Sequence, residues 1–345
     1  MKKRSVIRIL LILFILILLL AGGAAFWGYR TFYSPGFAID EPISVYIDEQ
    51  TDYDGLCRQL VDSAKCTDIR IFNLITQRMD YPGHLKTGRY VVEPGMTHLA
   101  LARILRNGQQ TPVRITFNNI RTKEDLAEKL SAQLMFTKED LLTLIDDEAY
   151  CKKLGFNPET IKCLFIPNTY EVYWNLTADK FMERMIREYN TFWNDERKEK
   201  AARIPLTPIE VSILASIVEE ESSVIDEYPI IAGLYINRLK KGMPLQADPT
   251  VKYAVGDFTL RRILYSHLEV DSPYNTYLYT GLPPGPLRIP SIQGLNSVLN
   301  YARHNYLYMV AKEDFSGRHN FAVSLAEHNR NADRYRQELN RRGIR

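Results

Sequence analysis

The sequence lacks the short motifs of several large enzyme classes. Its 345 residues contain no HExxH pair of zinc ligands, no P-loop, no GxSxG nucleophile elbow and no GxGxxG dinucleotide loop. The four cysteines form no CxxC pair, so neither a zinc ribbon nor a thioredoxin-type redox site is indicated. They are either buried thiols or, in an exported protein, partners in one or two disulfides.

Clusters of charge are absent as well. The net charge is +3, and lysine and arginine are spread along the chain instead of forming the basic face that nucleic-acid binding requires. His319 and His328 have no third ligand at a typical spacing, so we expect no metal site. We therefore expect neither a cofactor nor a nucleic-acid partner.

Charged residues are also missing from residues 9–27, which are apolar almost throughout. A helix of that length, at ~1.5 Å per residue, approaches the ~30 Å thickness of the hydrocarbon core of a membrane. By the positive-inside rule, four preceding basic residues place the N-terminus in the cytoplasm: Lys2, Lys3, Arg4 and Arg8. We expect a retained single-pass anchor in the inner membrane. The small residues at 21–25 leave a cleaved signal peptide as the alternative, and both interpretations place the rest of the chain outside the cytoplasm.

The pattern of elements predicts an α+β chain with four parts. Residues 1–30 form a cytoplasmic tip and transmembrane anchor, and residues 31–43 form a linker. Residues 44–118 predict a strand, two helices, a strand, a helix and a strand, which make a small α+β module. The second helix is predicted over 69–78, and Thr97 is the predicted N-cap of the third. Residues 119–345 form a larger mixed α+β domain, which is mainly helical from 122 to 189 apart from an aromatic-rich loop at 164–170.

One helix in the larger domain has a strong start signal. Thr207 is a good N-cap, Pro208 fits the first helical position, and Glu210 stands where a capping box requires an acid. The helix then runs through an apolar stretch to three consecutive glutamates at 219–221.

A helix turns ~100° per residue, so these glutamates point in different directions. Glu221 continues the apolar stripe formed by Leu214, Ile217 and Val218, whereas Glu219 and Glu220 point away from it. A carboxyl group on that face loses hydration, which raises its pKa and suits it to general acid catalysis. The alternative is a helix end already exposed to solvent. On the first interpretation, Glu220→Gln should be nearly harmless.

Loops rich in amide, aromatic, glycine and proline residues follow this helix. The segments are QADPT at 246–250, YNTY at 274–277, GLPPGP at 281–286 and HNF at 319–321. Each taken alone is compatible with ordinary turns, the first in particular. Taken together, aromatic faces and fixed amides suit sugar binding.

These motifs, in this order, resemble the MltG/YceG-like endolytic murein transglycosylases. The resemblance rests on ASIVEEES at 215–222, YINRL at 235–239, GMPLQADPT at 242–250 and the later loops, so it is close over roughly 205–335. The N-terminal anchor and the module at 44–118 agree in order and size, and the module is similar to a LysM subdomain.

The resemblance implies a catalytic residue and a set of cleft residues. The catalytic glutamate of the family falls on Glu221, the one followed by a small hydroxyl residue. Five further positions fall on motifs expected to bind substrate: Gln246, Asp248, Asn275, Tyr277 and Asn320. The chain departs from the family at Asn168, where an aspartate is common, which puts any acidic function of that loop in doubt.

The implied activity is cleavage of the β-1,4 bond between N-acetylmuramic acid (MurNAc) and N-acetylglucosamine (GlcNAc), which leaves 1,6-anhydro ends on peptidoglycan strands. Internal cuts in nascent strands near the membrane, terminating strand elongation and remodelling the wall, would bring the enzyme close to cell wall synthases such as penicillin-binding proteins. Two alternatives stay open: a non-catalytic, membrane-tethered peptidoglycan-binding scaffold, and a lysozyme-type hydrolase.

Overall fold

The computed structural model describes residues 2–260 and 262–343. The first element is the long helix α1 (Lys2–Tyr33), which is exposed along most of the segment Leu10–Tyr33 and packs near its end, through Phe32, against the core that follows. The 24 residues of that segment are apolar enough to cross a membrane, and at ~1.5 Å per residue they exceed the ~30 Å required. The remaining chain is a mixed α+β structure, as predicted.

Two compact units make up the chain. The first unit comprises Met1–Arg114 and Glu171–Leu176, and the second comprises Ile115–Tyr170 and Thr177–Arg345. The chain passes from one unit to the other within the strands β3 (Val113–Thr116) and β4 (Thr169–Val172), and again between Leu176 and Thr177.

The first unit contains two strands and three helices after α1. In chain order they are β1 (Ile43–Ile47), α2 (Tyr53–Asp62), α3 (Ile69–Arg78), β2 (Gly88–Val92) and α4 (His98–Asn107). β1 and β2 pair antiparallel, with Val45 opposite Tyr90. Alternate residues of both strands are buried against α2, α3 and α4, because side chains in a strand point alternately to its two faces. The predicted N-cap at Thr97 is confirmed, since its side chain accepts a hydrogen bond from the backbone N–H of Ala100.

The second unit is mainly helical. Its helices are α5 (Lys123–Ser131), α6 (Lys138–Asp146), α7 (Glu148–Lys153), α8 (Ala178–Phe192), α9 (Asp195–Arg203), α10 (Pro208–Glu221), α11 (Tyr228–Lys240), α12 (Asp248–Val255), α13 (Tyr265–Leu268), α14 (Ile292–Leu299) and α15 (Leu325–Arg341). Short 3₁₀ helices lie at Ile161–Leu164 and Ile225–Glu227, and the hairpin β5 (Tyr308–Ala311) and β6 (His319–Ala322) packs on α15.

Three local predictions are corrected. His319, Asn320 and Phe321, predicted to lie in a loop, lie in β6. Thr169 and Tyr170, predicted to lie in a loop, begin β4. Asp248, predicted to lie in a turn, begins α12 with Pro249 in the first turn. Proline is favoured in the first turn of a helix because the N–H it lacks would have no intrahelical partner there, so the same letters fit a turn or a helix start.

Candidate active site

The site is built around α10, whose start and direction are fixed by its first residues. The predicted capping box is present: Thr207 accepts from the backbone N–H of Glu210, and the Glu210 carboxylate accepts from that of Thr207. Residues 211–218 are all buried, so the helix is enclosed on every side and not along a single stripe. Burial therefore does not by itself distinguish the three glutamates at its C-terminal end; their partners do.

Glu219 and Glu220 are held by arginine and serine side chains. Glu220 accepts hydrogen bonds from Arg121 at 2.8 Å and from Arg288 at 3.1 Å. Glu219 accepts from the backbone N–H and the hydroxyl of Ser291. Both carboxylates thus have fixed partners, and neither lines the cavity that Glu221 lines, which suits them to structural roles.

Glu221 has a different environment. Its Oε1 accepts a hydrogen bond from the Tyr235 hydroxyl at 2.6 Å, and within the described residues no lysine or arginine forms an ion pair with it. The pKa of Glu221 is raised to about 7, mainly by burial; the Tyr235 hydrogen bond opposes this rise and the nearby Asp248 carboxylate adds to it. A carboxyl group with that pKa still carries a proton near neutral pH and can donate it.

Glu221 opens into a cavity of about 240 Å³. Tyr235 and Arg238, one turn apart on α11, line one side, and the start of α12 and the hairpin β5–β6 line others. The lining residues are Glu221, Leu234, Tyr235, Arg238, Leu245, Gln246, Asp248, Tyr277, Met309, Val310, Ala311 and His319. Most of the polar groups can donate or accept hydrogen bonds, which is the chemistry that sugar hydroxyls require.

Arg238 holds the base of this cavity together. It is buried, and its guanidinium donates to the backbone carbonyls of Leu307 at 2.6 Å and Leu245 at 2.7 Å. It also donates to the side-chain oxygen of Gln246 at 3.3 Å. Through its Nε and Nη1 donors Arg238 fixes the loop before α12, and its positive charge lowers the pKa of Glu221 by less than the other causes named above.

Three of the five predicted substrate-binding residues line the cavity. Gln246 and Asp248 stand on either side of the start of α12, and Tyr277 donates from its hydroxyl to Asp248 Oδ1 at 2.6 Å. Gln246 has a backbone φ of 51°, a left-handed conformation that is uncommon outside glycine. Strained backbone of this kind is often found at functional sites.

The other two predicted residues lie elsewhere. Asn275 is fully buried, donates to the carbonyls of Leu268 and Val270, and accepts from the backbone N–H of Tyr277. These hydrogen bonds stabilise the loop that positions Tyr277. Asn320 on β6 donates to Glu313 at 2.6 Å and is not among the residues that line the cavity. Asn168 is exposed and bonds through its side chain to the backbone N–H of Thr169.

Sequence reasoning assigned no function to four residues of this region. Tyr235, Arg238, Glu227 and His319 all contact Glu221, its neighbour Ser222 or the cavity. Tyr235 and Arg238 lie in the YINRL motif at a spacing of three, which places both on one face of a helix. The sequence could therefore have indicated that they act at the same site. The pairing of Glu227 with His319 joins residues 92 apart, and no local pattern indicates it.

Comparison with known proteins places this chain in a family. The profile of the YceG-like family matches residues 45–334. A protein of Bacillus subtilis (strain 168) named endolytic murein transglycosylase is 30% identical over 266 residues, which cover 72% of this chain and 73% of the relative. A protein of the same name from Streptococcus pneumoniae (strain D39) is 25% identical over 376 aligned positions, covering 97% of this chain and 67% of the relative.

A solved structure agrees with these matches. The crystal structure of a YceG-like protein from Listeria monocytogenes superposes with a TM-score of 0.56 at 26% identity, covering 85% of this chain and 99% of that one. The family profile extends from β1 into α15 and so includes both units and every residue of the site. The chain therefore belongs to the YceG-like family.

Proposed function

We propose that this chain is an endolytic lytic transglycosylase that cleaves the MurNAc-β-1,4-GlcNAc bond of nascent peptidoglycan, with Glu221 as general acid and base. The observation that carries the proposal is the environment of Glu221: a cavity, a tyrosine hydrogen bond, no ion pair within the described residues, and a pKa of about 7. The relatives named endolytic murein transglycosylase support the substrate class and the reaction type.

The reaction proceeds in two steps on one carboxyl group. Protonated Glu221 gives its proton to the glycosidic oxygen, and the C1–O4 bond breaks to leave an oxocarbenium-like muramic residue. The Glu221 carboxylate then takes the proton of the muramic 6-hydroxyl as that oxygen bonds to C1. No water is consumed, the 1,6-anhydro end is formed, and Glu221 regains its proton. Such an acid–base group contributes ~10²–10⁴-fold to the rate.

One observation favours a second candidate function. Asp248 supplies another carboxylate to the same cavity, and a hydrolase of lysozyme type uses two carboxyl groups. The hydrogen bond from Tyr277 holds Asp248 in place, so the carboxylate is also suited to binding a sugar hydroxyl. The product distinguishes the two functions, because hydrolysis adds one water and transglycosylation adds none.

We propose further that residues 44–118 are a LysM-like module that binds the glycan, and that α1 anchors the chain in the inner membrane with its N-terminus in the cytoplasm. The order β1–α2–α3–β2 with antiparallel strands supports the first proposal. The length and apolar character of Leu10–Tyr33 support the second. This placement would confine cuts to strands near the membrane, terminating strand elongation beside the wall synthases.

The test is mass spectrometry of purified, uncrosslinked glycan strands after incubation with the full chain in detergent. Wild type should cut within strands and leave anhydro-muramyl ends. The variant Glu221→Gln should cut ~10²–10⁴-fold more slowly while it retains the wild-type circular dichroism spectrum. Reducing ends that carry an added water would support the hydrolase. Strands bound but uncut by the wild type would support a non-catalytic scaffold, and Glu221→Gln cutting at the wild-type rate would rule out Glu221.

A further inference from the structure

Glu227 is a buried carboxylate close to the site that the proposed mechanism does not use. It lies in the 3₁₀ helix Ile225–Glu227, and its side chain is 4% exposed. It accepts three hydrogen bonds: from the Ser222 hydroxyl at 3.3 Å, from His319 Nδ1 at 2.8 Å and from the His319 backbone N–H at 2.9 Å. Within the described residues no lysine or arginine pairs with it. A buried carboxylate needs such donors, since its hydration is lost.

These hydrogen bonds join two elements that carry cavity residues. Ser222 directly follows Glu221 at the end of α10, and His319 begins β6 and lines the cavity with Glu221. One carboxylate therefore anchors both the residue next to the proposed acid and a histidine ring that lines the same cavity. The arrangement gives a physical reason for a small hydroxyl residue immediately after Glu221.

The two ring nitrogens of His319 differ in their hydrogen bonding. Nδ1 faces Glu227, while Nε2 has no hydrogen-bond partner within the described residues and is not enclosed. A carboxylate on Nδ1 selects the tautomer that carries its proton there, which leaves Nε2 of the neutral ring as an acceptor. The groups facing it around the cavity are Glu221, Asp248, Tyr235, Tyr277 and Arg238.

We infer that His319 is a substrate-contacting residue whose Nε2 accepts a hydrogen bond from a hydroxyl or amide N–H of the glycan, and that Glu227 is its positioning residue. The inference rests on the proposed function for the identity of the ligand. It assigns the cavity a recognition group on β6, an element separate from α10 and α11, which carry Glu221 and Tyr235.

Two substitutions of His319 separate its two nitrogens. Asparagine places its amide nitrogen where Nδ1 stood, so His319→Asn keeps a donor to Glu227 and loses the group that faces the cavity. Glutamine reaches the position of Nε2, so His319→Gln keeps a polar group in the cavity and loses the donor to Glu227. Asp226→Asn is the matched control, because Asp226 precedes Glu227 and pairs with Arg318 next to His319, yet that pair is exposed.

The first measurement is calorimetric binding of a MurNAc-containing tetrasaccharide to the full chain in detergent, in the Glu221→Gln background so that no cleavage occurs. We expect His319→Asn to bind ~10-fold more weakly than the parent, and His319→Gln, which keeps a polar group in the cavity without its Glu227 anchor, to bind with an affinity between those two. Asp226→Asn should stay within ~3-fold of the parent. Unchanged affinity of His319→Asn overturns the inference alone. If the parent binds but wild type does not cut, the proposed function fails and the inference stands; a parent that does not bind overturns both.

The second measurement tests Glu227 through the ring itself. With ¹⁵N-labelled histidine, NMR of wild type should show a single His319 tautomer with the proton on Nδ1. In Glu227→Gln, whose amide can donate as well as accept, a mixture of tautomers should appear. A merely structural Glu227 would change stability without changing the tautomer, so an unaltered single tautomer in Glu227→Gln would overturn the positioning role.

Discussion

Replacing Glu221 with glutamine should stabilise the protein above neutral pH while it abolishes cleavage. The pKa of Glu221 rises from 4.5 to about 7 on folding, mainly because burial disfavours the charged form. The folded state thus keeps a proton that the unfolded chain has already released, and stability falls as the pH rises from 4.5 to 7. At about 1.36 kcal/mol for each pH unit between these values, the cost above pH 7 approaches ~3 kcal/mol.

Glutamine is neutral at every pH, so it avoids this cost. Glu221→Gln and wild type should have similar stability at pH 5, where both side chains are largely uncharged. At pH 8.5 the variant should be more stable by up to ~3 kcal/mol. The assay is urea unfolding of the full chain in detergent, followed by circular dichroism at both pH values. Equal stabilities at pH 8.5 would refute the account of Glu221 as a desolvated acid.

Glu220→Gln is the matched control, one residue away. Its carboxylate accepts from Arg121 and Arg288, so neutralising it weakens two charged hydrogen bonds and should cost ~1–3 kcal/mol at both pH values. The sequence alone suggested that this change is nearly harmless, and the ion pairs revise that expectation for stability. The two neighbouring substitutions should therefore shift stability in opposite directions at pH 8.5.

Three further predictions concern the same cleft. The kcat/KM for strand cleavage should fall tenfold per pH unit above about pH 7, since the first step requires the protonated form of Glu221, whose pKa is about 7. Tyr235→Phe removes the hydrogen bond that lowers this pKa, so its pH profile should extend to higher pH by about one to two pH units; a profile shifted to lower pH would contradict the hydrogen-bond assignment. Asn275→Ala removes three buried hydrogen bonds and should cost ~2–4 kcal/mol, measured by urea unfolding, with a reduced kcat/KM because Tyr277 loses its anchor; unchanged stability would contradict the anchoring role.

Local chemistry made part of this structure predictable. The capping box at Thr207 and the N-cap at Thr97 were readable because each involves groups within three residues of one another. The two strands of the first unit followed from alternation of apolar residues, and α3 begins and ends where the pattern indicates. The helical repeat predicts that the three glutamates point in different directions, but the apolar stripe used to choose among them does not exist as such, because residues 211–218 are buried on every side.

Contacts between residues far apart in the sequence could not be predicted. Arg121 meets Glu220 across 99 residues and His319 meets Glu227 across 92, and neither contact leaves a periodic signal. Asn275 carried the polar character expected of a cleft residue, but its amide satisfies backbone groups inside a buried loop. A polar side chain in a loop motif can bind substrate or complete the loop, and only the fold decides between them.

The fixed start of α10 also bears on which mutations this family can accept. Thr207 and Pro208 set where the helix begins, and the buried apolar residues within 211–218 should tolerate exchange among apolar side chains of similar volume. An insertion or deletion of a single residue there would rotate everything beyond it by ~100°. It would turn Glu221 out of the cleft and separate Glu220 from both of its arginines. The number of residues in α10 is therefore constrained more strictly than their identity. Sequences that diverge in this helix should differ by substitutions and not by insertions or deletions.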